Sequence, residues 1–182
     1  AKIIEANSDS DTDVIYFRIP SADLPGTIDV ASDMVISESL IIKGPGAGKL
    51  VLDGGKNNHR IFDIDDGGAG TLSSVSISGL TLTNGQVLTS DGGAIRSVET
   101  LSLANVLLQN NTASGNGGAV CVDTVGKFTM TGSQVLGNVA TASADLFAMG
   151  AILYEMLAGA AAFEADSVHA VMENVLHGDV PT

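Results

Sequence analysis

The chain has 182 residues and a formal net charge of −13, with 45% apolar residues, only 4% aromatic residues, no Trp and 22 Gly. No basic stripe occurs anywhere, which argues against nucleic acid or an anionic membrane as partner, because phosphate contacts need Lys and Arg; uncharged sugars and cationic partners stay open. A single cysteine, Cys121, excludes an intrachain disulfide, and the scarcity of aromatics suits a narrow core of stacked Val, Ile and Leu between tight turns.

Residues 1–39 read as an entry module. Val14-Ile15-Tyr16-Phe17-Arg18-Ile19 is β-branched and aromatic, hence strand-like, until Pro20 and Pro25-Gly26 break it. Thr27–Val30 and Met34–Ile36 are further short strands. Leu40–Lys43 meets a turn at Gly44-Pro45-Gly46, Leu50–Leu52 runs into Asp53-Gly54-Gly55, and Arg60–Ile64 precedes a loop from Asp65 to Gly70.

From Ser73 the chain repeats. Gly92-Gly93-Ala94-Ile95 recurs as Gly117-Gly118-Ala119-Val120. Val75-x-Ile77-x-x-Leu80-x-Leu82 recurs as Leu101-x-Leu103-x-x-Val106-x-Leu108, and Phe128-x-Met130 continues it. A fixed period of about 25 residues means a solenoid with one coil per repeat, so residues 12–141 are expected to form a right-handed parallel β-helix. Those eight apolar residues should line its interior. Each coil should bend near Gly79, Asn105 or Gly132. Asn84, Asn110 and Asn138 should stack as a corner ladder, since Asn tolerates left-handed backbone and its amide can bond to the next copy. Asp66-Gly67-Gly68-Ala69 imitates the Gly-Gly-Ala repeat but sits out of register. It reads as an insertion, with Asp66 not stacked on Asp91.

After Ala142 the pattern changes. Asp145–Gly159 reads as a helix, with Ser143 as N-cap and Gly159 ending it, and Ser167–Leu176 as a second. Residues 146–163 carry one charge, Glu155. At that length, with a carboxylate near the middle, membrane insertion is not expected. A helix apolar on every side has to be buried. These helices are therefore expected to cap the β-helix or to self-associate with a second chain, a symmetric dimer being favoured. The chain divides into 1–141, a β-helix with entry strands, and 142–182, a helical appendage, so its fold class is mainly β. It begins at Ala1 without a basic-then-apolar signal peptide, as expected of a mature form or an excised piece.

Two resemblances follow from particular motifs. Ser39-Leu40-Ile41-Ile42-Lys43-Gly44-Pro45-Gly46-Ala47-Gly48, Leu52-Asp53-Gly54-Gly55, Ile77-Ser78-Gly79-Leu80-Thr81-Leu82-Thr83-Asn84-Gly85 and Gly92-Gly93-Ala94-Ile95 resemble the polymorphic outer-membrane and related secreted right-handed parallel β-helix proteins, over about residues 12–141. That resemblance implies a secreted or cell-surface location in a bacterium and a role in display or adhesion. The pectate-lyase-like relatives of such proteins include enzymes acting on polysaccharides. Residues 143–182 resemble a large-lobe fragment of a bacterial eukaryotic-type serine/threonine protein kinase. The match is carried by Asp145, Gly150, Tyr154-Glu155-Met156-Leu157, Gly159 and Phe163, while Ala160-Ala161-Ala162 departs from it. The phosphate-covering Gly-rich loop, His-Arg-Asp, Asp-Phe-Gly and Ala-Pro-Glu are absent from the sequence, so phosphoryl transfer has no residues to perform it. The chain reads as a β-helix fused to a kinase fragment, a chimeric open reading frame.

The resemblance to polysaccharide-cleaving β-helices makes outer-face carboxylates the candidate site. Asp63, Asp65 and Asp66 are clustered, Asp91 and Asp123 fall near turns, and Arg60, Arg96 or Lys127 could supply a base. Such groups bind Ca²⁺ or work as an acid/base pair. Against this, Asp occupies turns because its side chain bonds local backbone. Asp9-x-Asp11-x-Asp13 opens like a Ca²⁺ loop, but Val14 and Pro20 stand where Gly and Glu belong. His59, His169 and His177 are scattered, so no zinc or other cofactor is expected. No Gly-x-Ser-x-Gly occurs, and Cys121 has a packing role. The leading reading is a non-enzymatic surface, adhesion or carbohydrate-binding β-helix, which requires a flat face lined by Ser, Thr and Asn. The rival is a polysaccharide lyase or glycoside hydrolase, which requires carboxylates and a base converging in one groove. A recombined open reading frame with no selected function would have no convergent site.

Overall fold

A computed structural model describes residues 2–8, 11–68, 72–123 and 125–141. The two helices read from residues 143–182, and the kinase resemblance they carry, lie outside the described residues. After a short helix α1 (Lys2–Ala6), the chain winds through β1 (Asp13–Tyr16), β2 (Gly26–Asp29) and β3 (Met34–Ile36). A second coil holds β4 (Leu40–Lys43), β5 (Leu50–Asp53) and β6 (Phe62–Ile64). The third holds β7 (Ser74–Ser78), β8 (Thr81–Thr83), β9 (Gln86–Val87) and β10 (Ile95–Ser97). The fourth holds β11 (Thr100–Ala104), β12 (Leu107–Gln109), β13 (Thr112–Ala113) and β14 (Val120–Val122), and the fifth β15 (Phe128–Thr131), β16 (Gln134–Leu136) and β17 (Val139–Ala140).

Strands of successive coils pair in parallel. Sheet A is β1-β4-β7-β11-β15, sheet B is β2-β5-β8-β12-β16, sheet C is β3-β6-β10-β14, and a narrow sheet D is β9-β13-β17. The protein is a parallel β-solenoid of about five turns. Along sheet A the register runs Val14, Ile41, Ser76, Ser102, Thr129. The long step from Ile41 to Ser76 contains the 65–73 loop, as the broken Gly-Gly-Ala register required.

Alternation sets the inside. In β7 and β11 every second residue is buried, and Val75, Ile77, Leu80, Leu82, Leu101, Leu103, Val106 and Leu108 are each at most 2% exposed. Leu40, Val75 and Leu101 stack in one column, and Ile42, Ile77 and Leu103 in the next. Burying each such side chain contributes about 1.5–3 kcal/mol. The Gly-Gly-Ala repeat is a turn before sheet C. Gly92 and Gly117 have φ of 69° and 61°, a left-handed conformation that L side chains rarely adopt. A Cβ on Gly93 would strike the carbonyl oxygen of Gly118 in the next coil.

The corner ladder holds Asn138 as the spacing predicts, but its partner is Asn111 and not Asn110, and Asn84 donates to Asp53 instead. Asn84 and Asn110 are left-handed, at φ 56° and 55°, and Gly137, not Asn138, occupies the equivalent place. The stacked amides belong to Asn111 and Asn138. Asn111 Oδ1 accepts from the Gly85 N–H at 2.9 Å, and its Nδ2 donates to the Leu82 carbonyl and to Asn138 Oδ1. Asn138 Oδ1 also accepts from the Asn111 N–H, and Asn138 Nδ2 donates to the Leu108 carbonyl. Asn111 is fully buried and every polar atom of its amide is satisfied. Asn111→Ala would strand the Gly85 N–H, and should cost about 1–3 kcal/mol in a urea melt. The bends at Gly79, Asn105 and Gly132 fall as expected, with φ between 53° and 62°.

Helix α1 is not legible in the sequence pattern. It closes the first end of the solenoid: Ala6 is buried, and Ile3 packs on the core. Asn7 then imitates a neighbouring strand, its Nδ2 donating to the Val35 carbonyl and its Oδ1 accepting from the Ser37 N–H. Among the described residues no helix is long and apolar enough to cross a membrane.

Candidate functional site

Three outer faces surround this core, and they differ. On sheet C the outward column is Val35, Asp63, Arg96, Cys121. Stacking puts Arg96 directly over Asp63, with Nη1 to Oδ1 at 3.1 Å, and Arg96 also reaches Asp65 at 3.4 Å. Arg60 approaches Asp63 Oδ1 from within the same coil at 2.9 Å, and its Nη2 donates to Ser90 Oγ. The Arg60 side chain is only 8% exposed, whereas Asp63 is 25% exposed. Arg60 Nε and the buried His59 Nε2 have no hydrogen-bond partner among the described residues; His59 Nδ1 meets the Arg60 carbonyl at 2.9 Å.

The candidate residues therefore divide. Arg60, Asp63, Asp65 and Arg96 come together. Asp66 belongs to the neighbouring loop: its Oδ1 accepts from the Gly68 N–H and its Oδ2 from the Ser73 hydroxyl. These two contacts, the Gly68 N–H foremost, hold its carboxyl below the usual range. Asp91 stacks on Asn116, accepting its N–H at 2.5 Å, and not on Asp66. Asp123 is exposed beyond β14, and Lys127 is exposed beside β15 without an ion pair among the described residues. Asp13 lies in β1, while the rest of the Asp9–Asp13 pattern falls partly outside the described residues. No three His, Cys, Asp or Glu side chains converge as a metal site among the described residues.

Sequence reasoning missed Glu99, which is 1% exposed. Its carboxylate accepts the Ser73 N–H at 2.8 Å and the Asp66 N–H at 3.3 Å, and so pins both ends of the 65–73 loop. Only the coil-to-coil register brings it there. The nearest signal in the sequence is an acid placed just before a repeat strand.

The chemistry of the sheet C cluster is that of a ladder of ion pairs. Partial burial of Arg96 disfavours its charge, but hydrogen bonds and attraction from Asp63 and then Asp65 outweigh this and raise its pKa. A proton is correspondingly harder to remove from it, the reverse of what a catalytic base needs. Two hollows among the described residues lie elsewhere. One of about 390 Å³ is bordered by Gly48, Asn105, Leu107 and Gln134 on sheet B, and one of about 350 Å³ by Lys2, Glu5, Asp13 and Tyr16.

Sheet B is partly roofed: the 44–49 loop folds over it, Gly48 N–H donating to the buried Thr81 hydroxyl. Sheet A is open. Its outward columns are Val14, Ile41, Ser76, Ser102, Thr129 and Tyr16, Lys43, Ser78, Ala104, Thr131. Ser76, Ser102 and Thr129 make no side-chain hydrogen bond among the described residues, so their hydroxyls face solvent with both functions free. Tyr16, 63% exposed, stands at one end with Lys43 Nζ 5.5 Å from its ring centre.

Comparison of the chain with protein-family models, with curated proteins and with solved structures returns no match. The likeness to outer-membrane β-helices and to a kinase fragment rests on the motifs themselves.

Proposed function

We propose that this is a non-enzymatic binding protein whose right-handed β-helix presents the outer face of sheet A to an extended, uncharged polymer, a glycan foremost. The observation that carries the reading is the hydroxyl column Ser76, Ser102, Thr129, one residue per coil, on the outer face of sheet A. Coil spacing repeats these groups every 4.7–4.9 Å or so, and each hydroxyl both donates and accepts. Tyr16 adds an amphipathic ring beside the 350 Å³ hollow, an apolar surface with a polar tip for a sugar ring to stack on. A charge of −13 disfavours anionic polymers. The likeness to secreted outer-membrane β-helices supports display at a bacterial surface, and the kinase-like residues 143–182 fit a chimeric origin that adds no catalytic group.

Calorimetry with two oligosaccharides tests this. Cellohexaose should bind without product formation, and hexagalacturonate should not bind. Tyr16→Ala should weaken the neutral ligand about tenfold, a loss of about 1.4 kcal/mol. Cleavage of hexagalacturonate that disappears in Asp63→Asn would replace this reading with the lyase or hydrolase one.

A further inference from the structure

The sequence holds two Asn-Gly pairs, Asn84-Gly85 and Asn116-Gly117, and the fold treats them oppositely. Asn84 Nδ2 donates to both carboxylate oxygens of Asp53, at 3.0 and 3.1 Å, and the Gly85 N–H donates to the buried Asn111 Oδ1 at 2.9 Å. At the second pair neither group is held. Among the described residues the Asn116 side-chain amide makes no hydrogen bond, and neither does the Gly117 N–H. Asn116 is exposed, in the turn between β13 and β14. That turn requires Gly117: its φ is 61°, and a Cβ there would strike the Val120 carbonyl oxygen. The corner thus sets an unshielded Asn directly before a residue with no side chain to crowd its nitrogen.

We propose that Asn116-Gly117 is a site of spontaneous deamidation, and that the fold protects Asn84-Gly85 from the same reaction. The Gly117 nitrogen gives up its proton to solvent and bonds to Asn116 Cγ. The Cγ–Nδ2 bond breaks, and Nδ2 takes up a proton and leaves as ammonia. Water then opens the five-membered imide at either carbonyl, leaving Asp or its chain-shifted isomer isoaspartate at this position. Overall a side-chain amide and water give a carboxylate and ammonium, with no oxidant and no second reactant. The nitrogen has to approach Cγ, so hydrogen bonds that hold either group away from that geometry must break first. The consequence falls on the preceding coil. The Asn116 N–H donates to Asp91 Oδ1, and the Gly92 N–H donates to the Asn116 carbonyl. Deamidation sets a second carboxylate on this corner beside Asp91, and like charges there repel. The isoaspartate product also shifts the carbonyl that Gly92 bonds.

The test uses the full chain, held in mildly alkaline buffer either folded or in guanidinium chloride. Peptides containing each Asn-Gly pair are weighed over time, since replacing the amide NH₂ by OH raises the mass. In denaturant the two sites have the same chemistry, and their rate ratio sets the reference. In the folded chain the ratio of Asn116 to Asn84 conversion should exceed that reference about tenfold or more, because Asn84 must first release hydrogen bonds to a charged carboxylate. The converted Asn116 peptide should separate by chromatography into two species of equal mass, the Asp and isoaspartate forms. A folded ratio equal to the reference would overturn the proposal. So would an Asn116 that converts in denaturant but not in the folded chain.

Discussion

Asp63→Asn is expected to destabilise the protein by about 3–5 kcal/mol, the effect of removing one partner from a buried ion pair. Among the described residues Asp63 is the only carboxylate paired with Arg60, whose side chain is 8% exposed, and it also holds Arg96. An asparagine keeps the shape but leaves the Arg60 guanidinium buried with Ser90 as its remaining side-chain partner among the described residues. Arg96 loses less, because it keeps Asp65 and is 28% exposed. The control is Arg60→Met in the same background. Removing the stranded charge should recover much of the loss, because an apolar replacement of a buried pair is often near neutral. Urea midpoints of the two variants and the wild type measure this. Equal stability of wild type and Asp63→Asn would mean that the ion-pair ladder contributes nothing to the fold.

Leu103→Ala is expected to cost about 2–5 kcal/mol, the lost transfer energy of the side chain plus the cavity left behind. Leu103 is fully buried in β11, the fourth of the five strands of sheet A, between Ile77 and Met130 in its column. The neighbouring coils are fixed by backbone ladders on both sides, so the site can collapse little. The same change at Met130, in the last coil and only partly buried, should cost less. Thermal or urea unfolding of both variants checks the difference; an equal cost would show that the last coil is packed as tightly as the fourth.

The solenoid was legible because its determinants are local and periodic. Val75, Ile77, Leu101 and Leu103 alternate with serines, and the left-handed positions of the repeating coils, Gly79, Asn84, Gly92, Asn105, Asn110, Gly117, Gly132 and Gly137, carry Gly or Asn, so sequence spacing and coil geometry agree. The corner ladder went astray by one residue because Asn110-Asn111 and Gly137-Asn138 each offer two residues for one corner. Spacing matches Asn110 to Asn138, but strand pairing matches it to Gly137 and gives the buried position to Asn111 and Asn138. Helix α1 was missed because five residues carry too short a stretch for a periodicity. In the candidate site, the grouping of Asp63 and Asp65 followed from adjacency, but which arginine meets which acid depends on the 65–73 loop. That loop sets the register between β6 and β10, so Arg96 over Asp63 could not be read from a regular repeat. The same register explains Glu99: its partners lie across a coil step that the period does not describe.

The hydroxyl column of sheet A and the paired carboxylate cluster of sheet C make opposite demands on a ligand. Amide chemical shifts of the full chain, followed during titration with cellohexaose, locate the contact directly. Perturbations are expected along Ser76, Ser102, Thr129 and at Tyr16, with Asp63, Asp65 and Arg96 unmoved. Perturbations centred on Asp63 and Arg96, with sheet A silent, would contradict it.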